Sequence, residues 1–227
     1  MCLSAPVSLA AAAVLVPTGV FAMNRAFRID RRFLALAALP VLFGIQQYFE
    51  GMVWLAGEAG DQGAVARYSL AYMFFAWIAW PVWVPIAGYF IETGRKRLLY
   101  LAFTIGGAML GALLYVPYFA HDGWLATRFL ELAIAYETVE LLDFIMAREF
   151  TYGIYVFFVV APLLISSDRH VRFFGLLIAG VLAVTYVFFQ YAHISVFCFG
   201  GALASLYLIF AILQKENAAP FAAYRLR

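Results

Sequence analysis

Phe43-Gly44-Ile45-Gln46-Gln47-Tyr48-Phe49-Glu50-Gly51-Met52-Val53-Trp54-Leu55 is the stretch on which the reading of this chain turns. It lies in an apolar segment, residues 33–56, long enough to cross a bilayer. Two amides and a carboxylate inside hydrocarbon are costly unless they find partners. On a helix, Phe43, Gln47, Glu50 and Trp54 share one face, and Gln46 sits beside Glu50 at i, i+4. That face is expected to look toward other helices or a water-filled cavity, with the rest of the chain as its wall.

The surrounding composition supports a membrane setting. Of the 227 residues, 66% are hydrophobic and 12% charged. Soluble domains carry about 25% charged residues, so this chain cannot cover a water-soluble core with polar surface. One transmembrane domain, residues 1–227, is the simplest division. No basic cluster is interleaved with exposed aromatics as a nucleic-acid surface requires. The expected partners are the lipid bilayer and a small polar or cationic ligand. Two cysteines, Cys2 and Cys198, are too few for a disulfide scaffold, and there is no Cys-x-x-Cys.

Hydropathy predicts an all-α membrane protein, a bundle of seven transmembrane helices. The spans fall near 5–23, 33–56, 68–91, 98–119, 151–167, 173–190 and 192–213. The first apolar run lacks the positive n-region of a signal peptide and is expected to be a retained helix. Basic residues cluster in alternate loops: Arg25, Arg28, Arg31 and Arg32; then Arg95, Lys96 and Arg97; then Arg169 and Arg172; then Lys215 in the C-terminal tail. The positive-inside rule therefore puts the N-terminus outside and the C-terminus in the cytoplasm. The connection 120–150 is long, acidic and extracytoplasmic on this reading. Its alternation at Leu130, Leu132, Ile134 and Tyr136 suggests a hairpin capping the bundle, with an interfacial helix as the alternative.

Pro40, Pro81 and Pro85 fall inside predicted spans, where each removes a backbone donor. Gly107 and Gly111 form a Gly-x-x-x-Gly in the fourth span, read as close packing within the bundle rather than a dimer face. Trp77, Trp80 and Trp83 crowd the third span and are read as packing and lipid contact.

Glu50 is expected about 8 Å outward of the midpoint of its span, at ~1.5 Å per residue, with Gln46 and Gln47 near the midplane. Gln190 and His193 come at the outer end of the last span, and His121 at another outer boundary. Glu50, Gln47, Gln46, His193, Gln190 and Trp54 are thus the candidate ligand-binding set. Three readings stay open: a hydrogen-bonded clamp between the second and seventh helices, a solvent-connected binding or transport pocket, and a metal site on Glu50, His193 and His121. No lysine or arginine falls within a span, so Glu50 is expected to be protonated or to hold a cationic ligand. The last span has no Schiff-base lysine for retinal. The chain has no Gly-x-Ser-x-Gly, Walker or His-Glu-x-x-His motif, and neither a catalytic residue nor a cofactor is identified. Cys2 at the outer start of the first helix and Cys198, about 7–8 Å along the last, are expected to form a disulfide if those helices are neighbours.

The motifs Cys2-Leu-Ser-Ala5, Leu39-Pro-Val-Leu-Phe-Gly-Ile-Gln-Gln47 with Glu50-Gly51 and Val53-Trp-Leu55, Ser166-Ser167, and Ser195-Val-Phe-Cys-Phe199 belong together. In these the chain resembles a bacterial integral membrane family described only as a domain of unknown function. The resemblance implies a heptahelical fold in the bacterial inner membrane and assigns no activity. The functional expectation is binding or transport of a small polar or cationic solute. A structural or accessory subunit and a lipid-acting membrane enzyme are the alternatives.

Overall fold

The computed structural model describes residues 4–131, 133–189 and 192–224, with side chains through Asn217. The chain is predominantly helical. Helix α1 spans Ala5–Ile29, α2 Arg31–Glu58, α3 Gln62–Ile91 and α4 Arg95–Ala120. Two short strands follow, β1 (Leu125–Phe129) and β2 (Ile134–Thr138), then a 3₁₀ turn at Leu141–Phe144. Helices α5 (Arg148–Leu164), α6 (Arg169–Phe188) and α7 (His193–Tyr224) complete the chain. Among the described residues six helices, all but α5, are long and apolar enough to cross a membrane. Helix α5 has 17 residues, about 26 Å of rise against a hydrocarbon core of about 30 Å.

Helices α2 and α3 occupy the centre. In each, 56% of the apolar stretch is buried, against 28% in α1 and α6. Helix α2 packs against α1, α3 and α7, while α5 joins α3 to α6. The α1 face toward α2 consists mostly of small side chains. Ala5, Ser8, Ala12, Leu15, Gly19, Ala22 and Ala26 are buried at alternating steps of three and four, the spacing of a coiled-coil seam. Gly44 and Gly51 answer from α2: a Cβ at either would come within 2.7 Å of Val16 or Leu9.

The third span is irregular for a reason the sequence contains. Helix α3 widens into a π-helical turn at Phe75–Ala79, just before Pro81. An i→i+5 bond to the Ala76 carbonyl would have to come from Pro81, which has no N–H. The Tyr155 hydroxyl of α5 donates to that carbonyl instead. Gly107 and Gly111 of α4 lie against the same backbone; a Cβ at Gly107 would sit 2.1 Å from the Pro81 carbonyl oxygen. The Gly-x-x-x-Gly therefore packs within the bundle.

Strands β1 and β2 form an antiparallel hairpin, with Thr127 opposite Tyr136 and Phe129 opposite Ile134. Alternation is clear on β2, where Ile134, Tyr136 and Thr138 are buried and Glu137 is exposed. The hairpin sits on the ends of α2 and α3: Tyr136 stacks on Tyr72 at 4.9 Å, Phe129 lies 5.5 Å from Trp54, and the Thr127 and Ser69 hydroxyls share a 2.8 Å hydrogen bond.

At the opposite end, polar side chains tie the helix termini together. Glu92, at the end of α3, accepts from the Ser166 hydroxyl (2.8 Å) and the Ser167 backbone N–H (2.6 Å). Burial pushes the Glu92 carboxyl up, but these donors and Lys96 outweigh it and hold it below its ordinary value. Asp168 caps α6 and pairs with Lys215 of α7, while Arg25 of α1 pairs with Glu216 at 2.8 Å.

Candidate functional site: the Glu50 cluster

Helix α2 carries Gln46, Gln47 and Glu50 across its buried side, and all three are 0% exposed. The side chains that meet them come from α3 and α7. Ser195 Oγ donates to Glu50 Oε1 at 2.6 Å, and Gln47 Nε2 donates to Glu50 Oε2 at 3.1 Å. Trp80 Nε1 donates to Gln46 Oε1 at 3.1 Å, and Gln46 Nε2 donates to Cys198 Sγ at 3.2 Å. Phe43 stacks on Trp80, ring centroids 3.9 Å apart, and closes the inner side. Trp83 Nε1 adds a 2.8 Å bond to the Ala35 carbonyl, a second tie between α3 and α2.

Local sequence explains these placements. Gln46 and Glu50 are one turn apart on one face, so both reach α7, and Gln46 also meets Trp80 of α3. Ser195 and Cys198 are three apart on α7, so they present both polar atoms to α2. Buried in an apolar bundle, each polar group gains from a partner and loses heavily without one. Such an arrangement can hold three helices in one register. It can also hold a proton, because a carboxyl among hydroxyl and amide donors accommodates either protonation state.

The chain belongs to DUF6629, a family of unknown function. The family profile matches residues 1–223, which covers every motif described above. No curated protein and no solved structure matches the chain. The residues of this DUF6629 chain therefore have to be read on their own geometry.

The candidate residues separate on that geometry. Gln46, Gln47 and Glu50 come together in the cluster. Trp54 lies farther along α2 against Phe129, its indole nitrogen buried and without a partner among the described residues. His193 begins α7, with its ring 5.1 Å from that of Tyr152. Gln190 lies outside the described residues. His121 is exposed at the end of α4 and stacks on Trp124 at 4.1 Å. Among the described residues no three His, Cys, Asp or Glu side chains group as a metal site requires, so Glu50, His193 and His121 do not form one here. The Cys2–Cys198 pairing rests on Cys2, which is outside the described residues; Cys198 is a buried thiol.

Trp80, Ser195 and Cys198 were not candidates for the site on sequence grounds. The signal for the last two was present as a polar pair at i, i+3 on an otherwise apolar helix. Trp80 carried no such signal, since three tryptophans in one span read equally well as packing.

Proposed function

We propose that this protein is a seven-helix structural or accessory protein of the bacterial inner membrane, and that the Glu50 cluster is its interhelical lock. The observation that carries this reading is the Ser195–Glu50 bond between fully buried side chains of α7 and α2. Helix α5 crosses the membrane as the fifth span. The N-terminus and the hairpin are extracytoplasmic and the C-terminus is cytoplasmic, in keeping with arginine and lysine at alternate loops. Reporter fusions after Arg28, Lys96 and Arg169 should then read cytoplasmic, and fusions near Gly60 and Gly123 extracytoplasmic. A cytoplasmic signal at Gly123 would overturn the orientation.

One observation favours the second reading, binding or transport of a small polar or cationic solute. Gln47 Oε1 is buried and has no hydrogen-bond partner among the described residues, so the cluster retains capacity for a donor. The two readings separate at Glu50. As a lock, Glu50→Gln keeps hydrogen-bonding groups and retains most of the melting temperature, whereas Glu50→Leu loses it. As a solute site, Glu50→Gln abolishes uptake or binding while the fold persists. A Glu50→Leu protein as stable as the parent would contradict the lock.

A further inference from the structure

A second buried carboxylate belongs to the hairpin end of the bundle. Glu140 follows β2 in the short connection to the 3₁₀ turn, and it is 0% exposed. Its Oε1 is engaged, accepting from Tyr152 at 3.0 Å and from Thr138 at 3.3 Å. Its Oε2 is buried without a hydrogen-bond partner among the described residues. Around it lie the Tyr118 hydroxyl of α4 and the Trp77 indole nitrogen of α3, both buried and within reach of one another. Tyr118 stands beside Thr138 and Trp77, within the field of Glu140. Trp77 stacks on Tyr152 at 5.8 Å, so the ring whose hydroxyl binds Glu140 also packs on the indole. Four elements meet here, and Trp77 belongs to the π-helical turn, a distortion found often at functional positions.

We propose that this cluster is a recognition site for the ammonium group of a small organic amine, entering from the end of the bundle that carries the hairpin. An ammonium group brings donors, and the site offers acceptors in Glu140 Oε2 and the Tyr118 oxygen. Aromatic rings at Trp77, Tyr118 and Tyr152 give the walls that favour a cation over a neutral group. The wider field has the matching sign. Residues 120–150 hold six carboxylates and two arginines, a net charge of −4. Arg148, the nearest cation, is committed to Asp143 and to the Thr138 carbonyl. Its charge acts on Glu140 through space. These residues are separate from the Glu50 lock, so failure of one account leaves the other standing.

The test uses the full-length protein in nanodiscs, titrated calorimetrically with ethylammonium chloride, with ethanol and sodium chloride as matched controls. Saturable binding of ethylammonium alone is expected, weakened about tenfold or more by Glu140→Gln. Tyr118→Phe keeps the carboxylate and removes one acceptor; it should weaken binding too, and it decides the matter if Glu140→Gln fails to fold. The proposal is overturned by absence of saturable ethylammonium binding, by ethanol binding as well as the amine does, or by undiminished affinity in a folded variant.

Discussion

Ser195 and Glu50 are 145 residues apart in sequence and 2.6 Å apart in the fold, hydroxyl to carboxyl, with neither side chain exposed. The bond ties the start of α7 to the C-terminal half of α2. Removing the hydroxyl by Ser195→Ala leaves a carboxyl oxygen short of a donor in an apolar setting. The expected loss is about 1–3 kcal/mol, seen as a lower melting temperature in detergent. Leu203→Ala, on the same helix but half exposed, removes apolar surface without opening the core and should cost less. Equal losses from the two substitutions would mean that the bond contributes nothing beyond packing.

Gly107 sits where a side chain has no room, against the Pro81 carbonyl. Gly107→Leu should separate α4 from α3 and cost more than about 3 kcal/mol, enough to abolish a monodisperse, folded preparation. If Gly107→Leu instead yields a stable protein of altered oligomeric state, the glycines serve an interface between copies rather than the bundle.

The extramembrane carboxylates at the two ends should respond to pH in opposite senses. Burial pushes the Asp168 carboxyl up, but Lys215 and two backbone donors outweigh it and hold it below 3.8. Its contribution, about 1 kcal/mol for a partly exposed pair, is present above pH 3.8 and lost as pH falls toward the folded value. Burial pushes Glu140 above 4.5, so between 4.5 and its folded value the folded state holds a proton that the unfolded chain has released, and above that value the group is a carboxylate. Its charged form therefore opposes folding as pH rises past 4.5. Melting temperatures from pH 3 to 8 should show Asp168→Asn converging on the parent at the acid end. Glu140→Gln should gain on the parent toward the neutral end. A Glu140→Gln protein that loses ground there would contradict the burial argument.

The helical membrane fold was legible because hydropathy is a property of whole segments. The polar face of α2 was legible because hydrocarbon tolerates few such groups. Partners were harder to read: which residues of α7 and α3 meet Gln46 and Glu50 depends on helix rotation, which no single span encodes. The seam of small residues on α1, in steps of three and four from Ala5 to Ala26, did carry rotational information. Pro81 marked the third span as irregular, but the form of the irregularity, a π-helical turn at Phe75–Ala79, was not readable, because one extra residue in a turn leaves hydropathy unchanged. Glu140 was hidden in an acidic connection read as a hairpin capping the bundle, where nothing in the sequence marked which of six carboxylates is turned inward.

The lock is tested most directly at Cys198, whose sulfur accepts the Gln46 hydrogen bond inside the cluster. In a Cys2→Ser background, intact protein in nanodiscs is exposed to a small, charged methanethiosulfonate reagent and the labelled fraction is measured by mass spectrometry. A sealed interhelical lock predicts no modification of Cys198 until the protein is denatured, and full modification afterwards. Rapid native-state labelling, slowed by a polar or cationic solute, would contradict the lock and place an accessible pocket beside Gln46.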